Sequence, residues 1–293
     1  MALRRKSYPL LAFYLLLSLV PVRGAARAQE PPYFVTYSHV MEEPGNLELA
    51  SQNLYAAPRD TNAFYAQTVE LEYGVTAWYT AELYLQGQST ERDSTVFTGF
   101  RIEQRLRPLR TEHWINPVLY VEYEDHNHAD KSFLEVVDHD VISDQQASNA
   151  ELRASVERAL EGKLILSSNR NGFNLSENII AEKSLSNKPW EFGYAIGGSR
   201  ALASAASIRA CRLCRQNFAV GGEIFGGLGT RYEFGFGNTS VYSGPTVAYR
   251  GPSGFTVTLG PEFGLNANSA QVLWRMKLAY EFSQIRDLWG RAK

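Results

Sequence analysis

The chain has 293 residues, with 29 Lys and Arg against 31 Asp and Glu, a net charge of −2. So even a balance gives no footing for a nucleic-acid partner held by charge. Two cysteines in this length exclude a disulfide-built scaffold, and the length suits one large domain or two small ones.

The first element is a leader. Arg4, Arg5 and Lys6 precede an apolar stretch from Tyr8 to Val22, and Ala26-Arg27-Ala28 sets small residues where a signal peptidase reads. A signal peptide over 1–28, cut after Ala28, is expected. No Cys stands near that point to carry a lipid anchor. Cleavage removes five basic residues and no acidic one, leaving 24 basic against 31 acidic, a net charge of −7. No later stretch approaches the ~20 apolar residues of a spanning helix. An exported chain of this kind can enter a membrane only as a closed barrel, which satisfies every backbone group between strands.

Residues 29–45 form an N-terminal segment that reads as either a plug or an extra strand, because PPYFVTYSHV (31–40) has strand propensity but opens on Pro. From residue 46 onward, runs of about ten residues alternate apolar and polar side chains at the period of a tilted strand crossing a bilayer. NLELASQNLYA (46–56) alternates only in its first half. YAQTVELEYG (65–74) sets Val69, Leu71 and Tyr73 against Glu70 and Glu72, and Gly74-Val75-Thr76 reads as the tight turn after it. WYTAELYLQGQ (78–88), FTGFRIEQRLR (97–107) and PVLYVEYED (117–125) continue the pattern. A connection rich in Asp, His, Ser and Gln fills 126–150. ERALEGKLILSS (157–168) resumes the alternation, although ELRASVERALEG also fits a short helix. Segments 173–183, 190–199, 217–229, 239–249, 255–265 and 272–282 complete about twelve strands, an even count as in bacterial barrels. The connections YGVTAW, SSNRNG and YRGPSG are short and fall at one end, where the periplasmic turns of a barrel lie.

One face of these strands collects Glu70, Glu72, Glu82, Arg101, Glu103, Arg105, Glu122, Glu124, Glu157, Glu161, Lys163, Glu191, Glu223, Glu262, Arg275, Lys277 and Glu281, twelve acidic and five basic groups. The other face is Leu, Val, Ile, Phe, Tyr and Trp. In lipid the apolar face points outward and the charges line the lumen. Trp78, Tyr123, Trp190, Tyr249 and Tyr280 sit near strand ends, as interfacial girdles require. A soluble exported β-protein is the competing reading of the same binary pattern.

VLWRMKLAYEF (272–282) resembles the final strand of bacterial outer-membrane β-barrel proteins, which end on an aromatic residue read by the barrel-assembly machinery. The resemblance covers most of 46–282 and is to a broad, porin-like class. It implies an all-β, antiparallel transmembrane barrel of about twelve strands, located in the cell outer membrane. It also implies outer-membrane lipid and the assembly machinery as partners. The chain departs from that class in continuing past Phe282 with the tail SQIRDLWGRAK (283–293).

Three features bear on chemistry. Cys211 and Cys214, in CRLC, are expected to form one local disulfide in an exported chain; a zinc site, the alternative, would need two further ligands with no other Cys to supply them. His126, His128 and His139, with Asp130, Asp138 and Asp140, are candidate ligands for a divalent cation. No fixed metal spacing is met, so a polar, solvated extracellular loop is the preferred reading of 126–150. No nucleophile elbow, P-loop or dinucleotide fingerprint is present, and no His stands on a strand beside a Ser, so neither an enzyme nor a cofactor is expected. The expected function is passive passage of small solutes through an acid-rich lumen. A non-conducting structural or surface-interaction barrel is the alternative, and an outer-membrane lipid-modifying enzyme comes third.

Overall fold

The computed structural model describes residues 30–58, 61–133, 136–137, 147–203, 211–237, 239–251, 254–283 and 285. The expected signal peptide, His139 and most of the C-terminal tail lie outside the described residues. Twelve antiparallel strands form one closed barrel in chain order. They are β1 (Leu47–Ala56), β2 (Phe64–Thr76), β3 (Tyr79–Thr90), β4 (Thr95–Leu106), β5 (Asn116–Asn127) and β6 (Val156–Arg170). The series continues with β7 (Phe173–Ser184), β8 (Trp190–Ala201), β9 (Phe218–Thr230), β10 (Val241–Arg250), β11 (Phe255–Gly264) and β12 (Val272–Phe282). β12 pairs with β1 from Phe282 opposite Leu47 to Trp274 opposite Tyr55, so the sheet has no edge.

Alternation along each strand sorts the side chains. Outward positions carry Leu49, Val69, Leu85, Ile102, Val121, Leu164, Ile179, Ile196, Val247, Leu259 and Trp274, one exposed apolar residue from every strand except β9. A soluble protein leaves no such continuous apolar belt in water, whereas a bilayer covers it. Trp78 and Trp114 lie at one rim and Trp190 and Trp274 toward the other, all exposed.

Two turns are as short as a hairpin allows. Asn171 (φ 53°) and Gly172 (φ 79°) both take positive φ, the two-residue turn for which Asn-Gly is suited. The β2–β3 turn is Ala77-Trp78, three residues later than Gly74-Val75-Thr76 suggests. The strand runs on to Thr76 because Gly74 absorbs a register shift and lets the backbone approach residue 43. A Cβ on Gly74 would stand 2.1 Å from the Glu43 carbonyl oxygen. Both ends of the strand array, Leu47 and Phe282, lie at this short-turn rim, which is the periplasmic one by the barrel rule. The stretch read as a possible helix is a strand from Val156, preceded by one helical turn at Asn149–Leu152.

Two segments occupy the lumen. Residues 31–45 carry no strand; they run as an extended strap whose Tyr33, Phe34, Val35, Thr36, Ser38 and His39 are buried. From the opposite rim the β5–β6 connection turns inward, burying Ala129, Asp130, Lys131, Ser132, Phe133, Val136 and Val137. This corrects the expectation of a solvated loop. Polar composition concealed Phe133, Val136 and Val137, which pack with Phe34 and Val35 of the strap in one apolar cluster. Phe133 stacks on Phe64 at 6.1 Å and meets Tyr242 edge-on at 6.1 Å.

Candidate functional site

The lumen face of the barrel is the candidate site, and its strand register arranges the acids. Glu281 of β12 lies opposite Glu48 of β1, and Glu48 opposite Glu72 of β2. The pairing continues Glu72 to Glu82, Glu82 to Glu103, and Glu103 to Glu122. It goes on from Glu122 to Glu161, Glu161 to Glu182, and Glu182 to Glu191. Nine glutamates therefore stand directly opposite one another across nine consecutive strands. Because barrel strands are tilted, a row of paired residues climbs as it circles. It starts near the C-terminal end of β12, at the periplasmic rim, and finishes at the N-terminal end of β8, at the far rim.

Like charges directly opposite each other on a sheet are destabilising, so this row needs compensation. Arg105 supplies most of it in the lower wall: it bonds to Glu72 and to Glu82, and its Nε lies 3.3 Å from Glu103. Lys277 sits 3.2 Å from both Glu48 and Glu70. Lys163 lies 2.7 Å from Glu161 and 4.2 Å from the centre of the Tyr120 ring. Arg101 lies between Glu122 (3.7 Å) and Asp130 (3.8 Å), which joins the wall to the inward loop. Arg275 pairs with Glu262 at 2.6 Å and donates to the Phe133 carbonyl. Acids still outnumber bases.

The other sequence candidates are distributed around this row. Glu124, one turn of the pleat above Glu122, is beside His126 at 3.5 Å, and Glu157 is 3.5 Å from His128 and bonded to Lys188. His126 belongs to β5 and faces the lumen, so it is not in a solvated loop. The described acidic groups close enough to share a cation are Glu48, Glu70 and Glu72, and Glu122, Glu124 and Glu161; neither includes a histidine. Cys211 and Cys214 are joined as a disulfide in the β8–β9 connection, remote from the row.

The wall opposite is built differently. β8 to β11 turn Gly193, Ala195, Gly197, Ala219, Gly221, Gly244 and Gly260 inward, with Glu223 among them. The strap lies in this trough. The Glu223 carboxylate accepts three successive backbone N–H groups, from Phe34 (2.7 Å), Val35 (3.1 Å) and Thr36 (2.9 Å). Asn178 accepts from the Tyr37 N–H (2.7 Å) and donates to its carbonyl (2.9 Å). The Tyr33 hydroxyl reaches Asn174 at 2.8 Å, and the Tyr37 hydroxyl crosses to Glu103 at 2.9 Å.

His39 is a residue that sequence reading passed over. Its Nδ1 lies 2.7 Å from Ser167 Oγ and its Nε2 3.0 Å from Glu112, although 128 and 73 residues separate them. Burial holds the imidazole below its ordinary pKa, against the raising effect of Glu112. The order of groups is that of a hydrolytic relay. However, Ser167 is buried and its hydroxyl is also engaged by Ser176 (2.8 Å) and Asn174 (3.2 Å), which leaves no open side for an acyl group. The contact pins the strap to β6. Nearby, Glu42, Glu43, Glu72, Arg107, Glu112 and Glu281 border a cavity of about 330 Å³ at the periplasmic rim. There, burial and then the charge of Glu281 push the Glu42 carboxyl up to about 7.

No family model matches the chain, and no curated protein matches it in sequence. Solved structures do. An outer-membrane channel from Pseudomonas putida F1 aligns over 85% of this chain and 98% of its own, with 9% identity and a TM-score of 0.51. The KdgM porin, solved in complex with disordered oligogalacturonate, covers 81% of this chain and 99% of its own at 5% identity and a TM-score of 0.49. LpxR from Salmonella typhimurium covers 80% and 99% at 11% identity and a TM-score of 0.40. Identities this low speak for the fold alone. With its closed twelve-strand sheet and apolar outer belt, the chain has the fold of an outer-membrane β-barrel.

Proposed function

We propose that the protein is a passive outer-membrane channel that favours small cations. The observation that carries this reading is the row of nine paired glutamates climbing the lumen wall from rim to rim. A wall built only for stability avoids directly opposed carboxylates. Acidic rings and rows select cations by raising their local concentration. Arg105, Lys163 and Lys277 hold the acids apart without cancelling them. Enzymatic chemistry has less support, since the Ser–His–Glu contact encloses its hydroxyl.

Conductance and reversal potential in a planar bilayer test the proposal. Under a KCl gradient the open channel, in wild-type protein or in the strap variants below, is expected to prefer K⁺. Replacing Glu122 and Glu124 with Gln should move the reversal potential toward zero. Channels with unchanged selectivity would remove the role of the wall, and no conductance from wild-type protein or from the strap variants below would leave the non-conducting barrel as the reading.

A further inference from the structure

We infer that the N-terminal strap is a releasable plug, seated on Glu223, that closes the periplasmic half of the lumen and leaves by sliding out of a trough shaped for it. The conductance arm of the test rests on the channel reading; the release itself does not.

Three observations place this device in the fold. First, the strap is held by side-chain contacts without sheet pairing: hydrogen bonds run to barrel side chains, and Phe34, Val35, Tyr37 and Met41 pack on apolar side chains of the wall. Glu223 gathers the N–H groups of Phe34, Val35 and Thr36, and Asn178 brackets Tyr37. Each such bond has a modest net value because water replaces it on release. A segment meant as permanent wall would pair with a strand, and here every strand already has two strand partners.

Second, the wall is cut to the strap's outline. A Cβ on Gly197 would lie 2.7 Å from the Tyr33 ring, and one on Gly260 would lie 3.3 Å from the Phe34 ring. Along the glutamate row the inward positions carry long charged side chains, whereas these two glycines mark where another segment lies against the wall.

Third, the strap rises and returns on the periplasmic side only. Tyr33 meets Asn174 and Ser199 near the low ends of β7 and β8, Phe34 to Thr36 reach Glu223 partway up β9, and His39 is back at Ser167 near the low end of β6. The excursion is a loop open toward the periplasm, so it can withdraw without passing a barrel strand through itself. At its apex Phe34 and Val35 join Phe133, Val136 and Val137 of the inward β5–β6 loop in one apolar cluster.

The test places a single cysteine at Val35 and measures its rate of reaction with a membrane-impermeant maleimide in folded, detergent-solubilised protein. The Cys211–Cys214 disulfide stays oxidised and does not react. With Glu223 intact, labelling should be slow. Glu223→Ala should raise the rate at least tenfold, and Gly197→Ala, which pushes on Tyr33 with no change of charge, should raise it as well. Heat-dependent gel mobility reports that each variant keeps its barrel. Equal labelling rates in folded wild-type and both variants would overturn the plug. Fast labelling together with new single-channel conductance supports both the plug and the channel. Fast labelling with no conductance upholds release and sinks the channel reading instead.

Discussion

The two halves of the lumen wall obey opposite rules. From β12 through β1 to β7 the inward face carries most of the glutamate row, held apart by Arg105, Lys163 and Lys277. From β8 to β11 they are mostly glycine and alanine, and the space so freed is filled by the strap and by the inward loop. A barrel of twelve strands is wider than its own side chains can fill with small residues on one side. One half solves the problem with long side chains and counter-charges, the other with borrowed backbone. The first solution is fixed at folding. The second can be undone, because a segment held by side-chain contacts can leave while the sheet stays closed.

The largest effect should come from breaking the charged half. Arg105→Met leaves Glu72, Glu82 and Glu103 without their shared cation. Removing one partner of a buried ion pair costs about 3–5 kcal/mol, so the urea midpoint of the micelle-bound barrel should fall steeply. A midpoint within error of wild type would mean that water, not Arg105, satisfies these acids.

An intermediate effect is expected in the glycine half. A Cβ at Gly193 would come within 2.9 Å of Val136 and 3.0 Å of Val137. Gly193→Val should therefore displace the inward loop, at about 1–3 kcal/mol for overpacking, and expose the 128–155 connection to protease added to whole cells. Cleavage no faster than in wild type would show that the loop can shift without losing its seat.

The smallest effect concerns pH at the foot of the strap. The Glu42 carboxyl sits near 7, above its ordinary range, because burial and the neighbouring Glu281 disfavour its charge. A raised folded-state pKa gives stability that is present below the ordinary carboxylate range and lost as pH rises through about 7. The thermal midpoint should fall between about pH 5 and about pH 8, and Glu42→Gln should make that fall shallower. An identical slope in the variant would remove Glu42 from the account.

Much of this molecule is legible in its sequence. Period-two alternation determines which residues of WEFGYAIGGS or VLWRMKLAYEF face lipid, since a strand places neighbours on opposite sides whatever its partners are. Asn171-Gly172 fixes its own hairpin, because few other pairs accept two positive φ values. Individual glutamates can be assigned to the lumen in the same way. That they stand opposite one another across nine strands is not written in any single strand. It needs the register of every hairpin and the closure of β12 on β1, and a shift of one residue anywhere would break the row.

The fillings were hidden for a different reason. PPYFVTYSHV reads as either a plug or an extra strand with nothing local to decide between them, and HNHADKSFLEVVDHD reads as a polar loop. Their burial depends on a cavity made by glycines on β8 and β11, more than 50 residues away along the chain. His39, Ser167 and Glu112 meet for the same reason. Local periodicity by itself determined the barrel and its two faces. Only the closed sheet decided the glutamate row, the trough and what lies in it, because those depend on contacts between segments that no local pattern encodes.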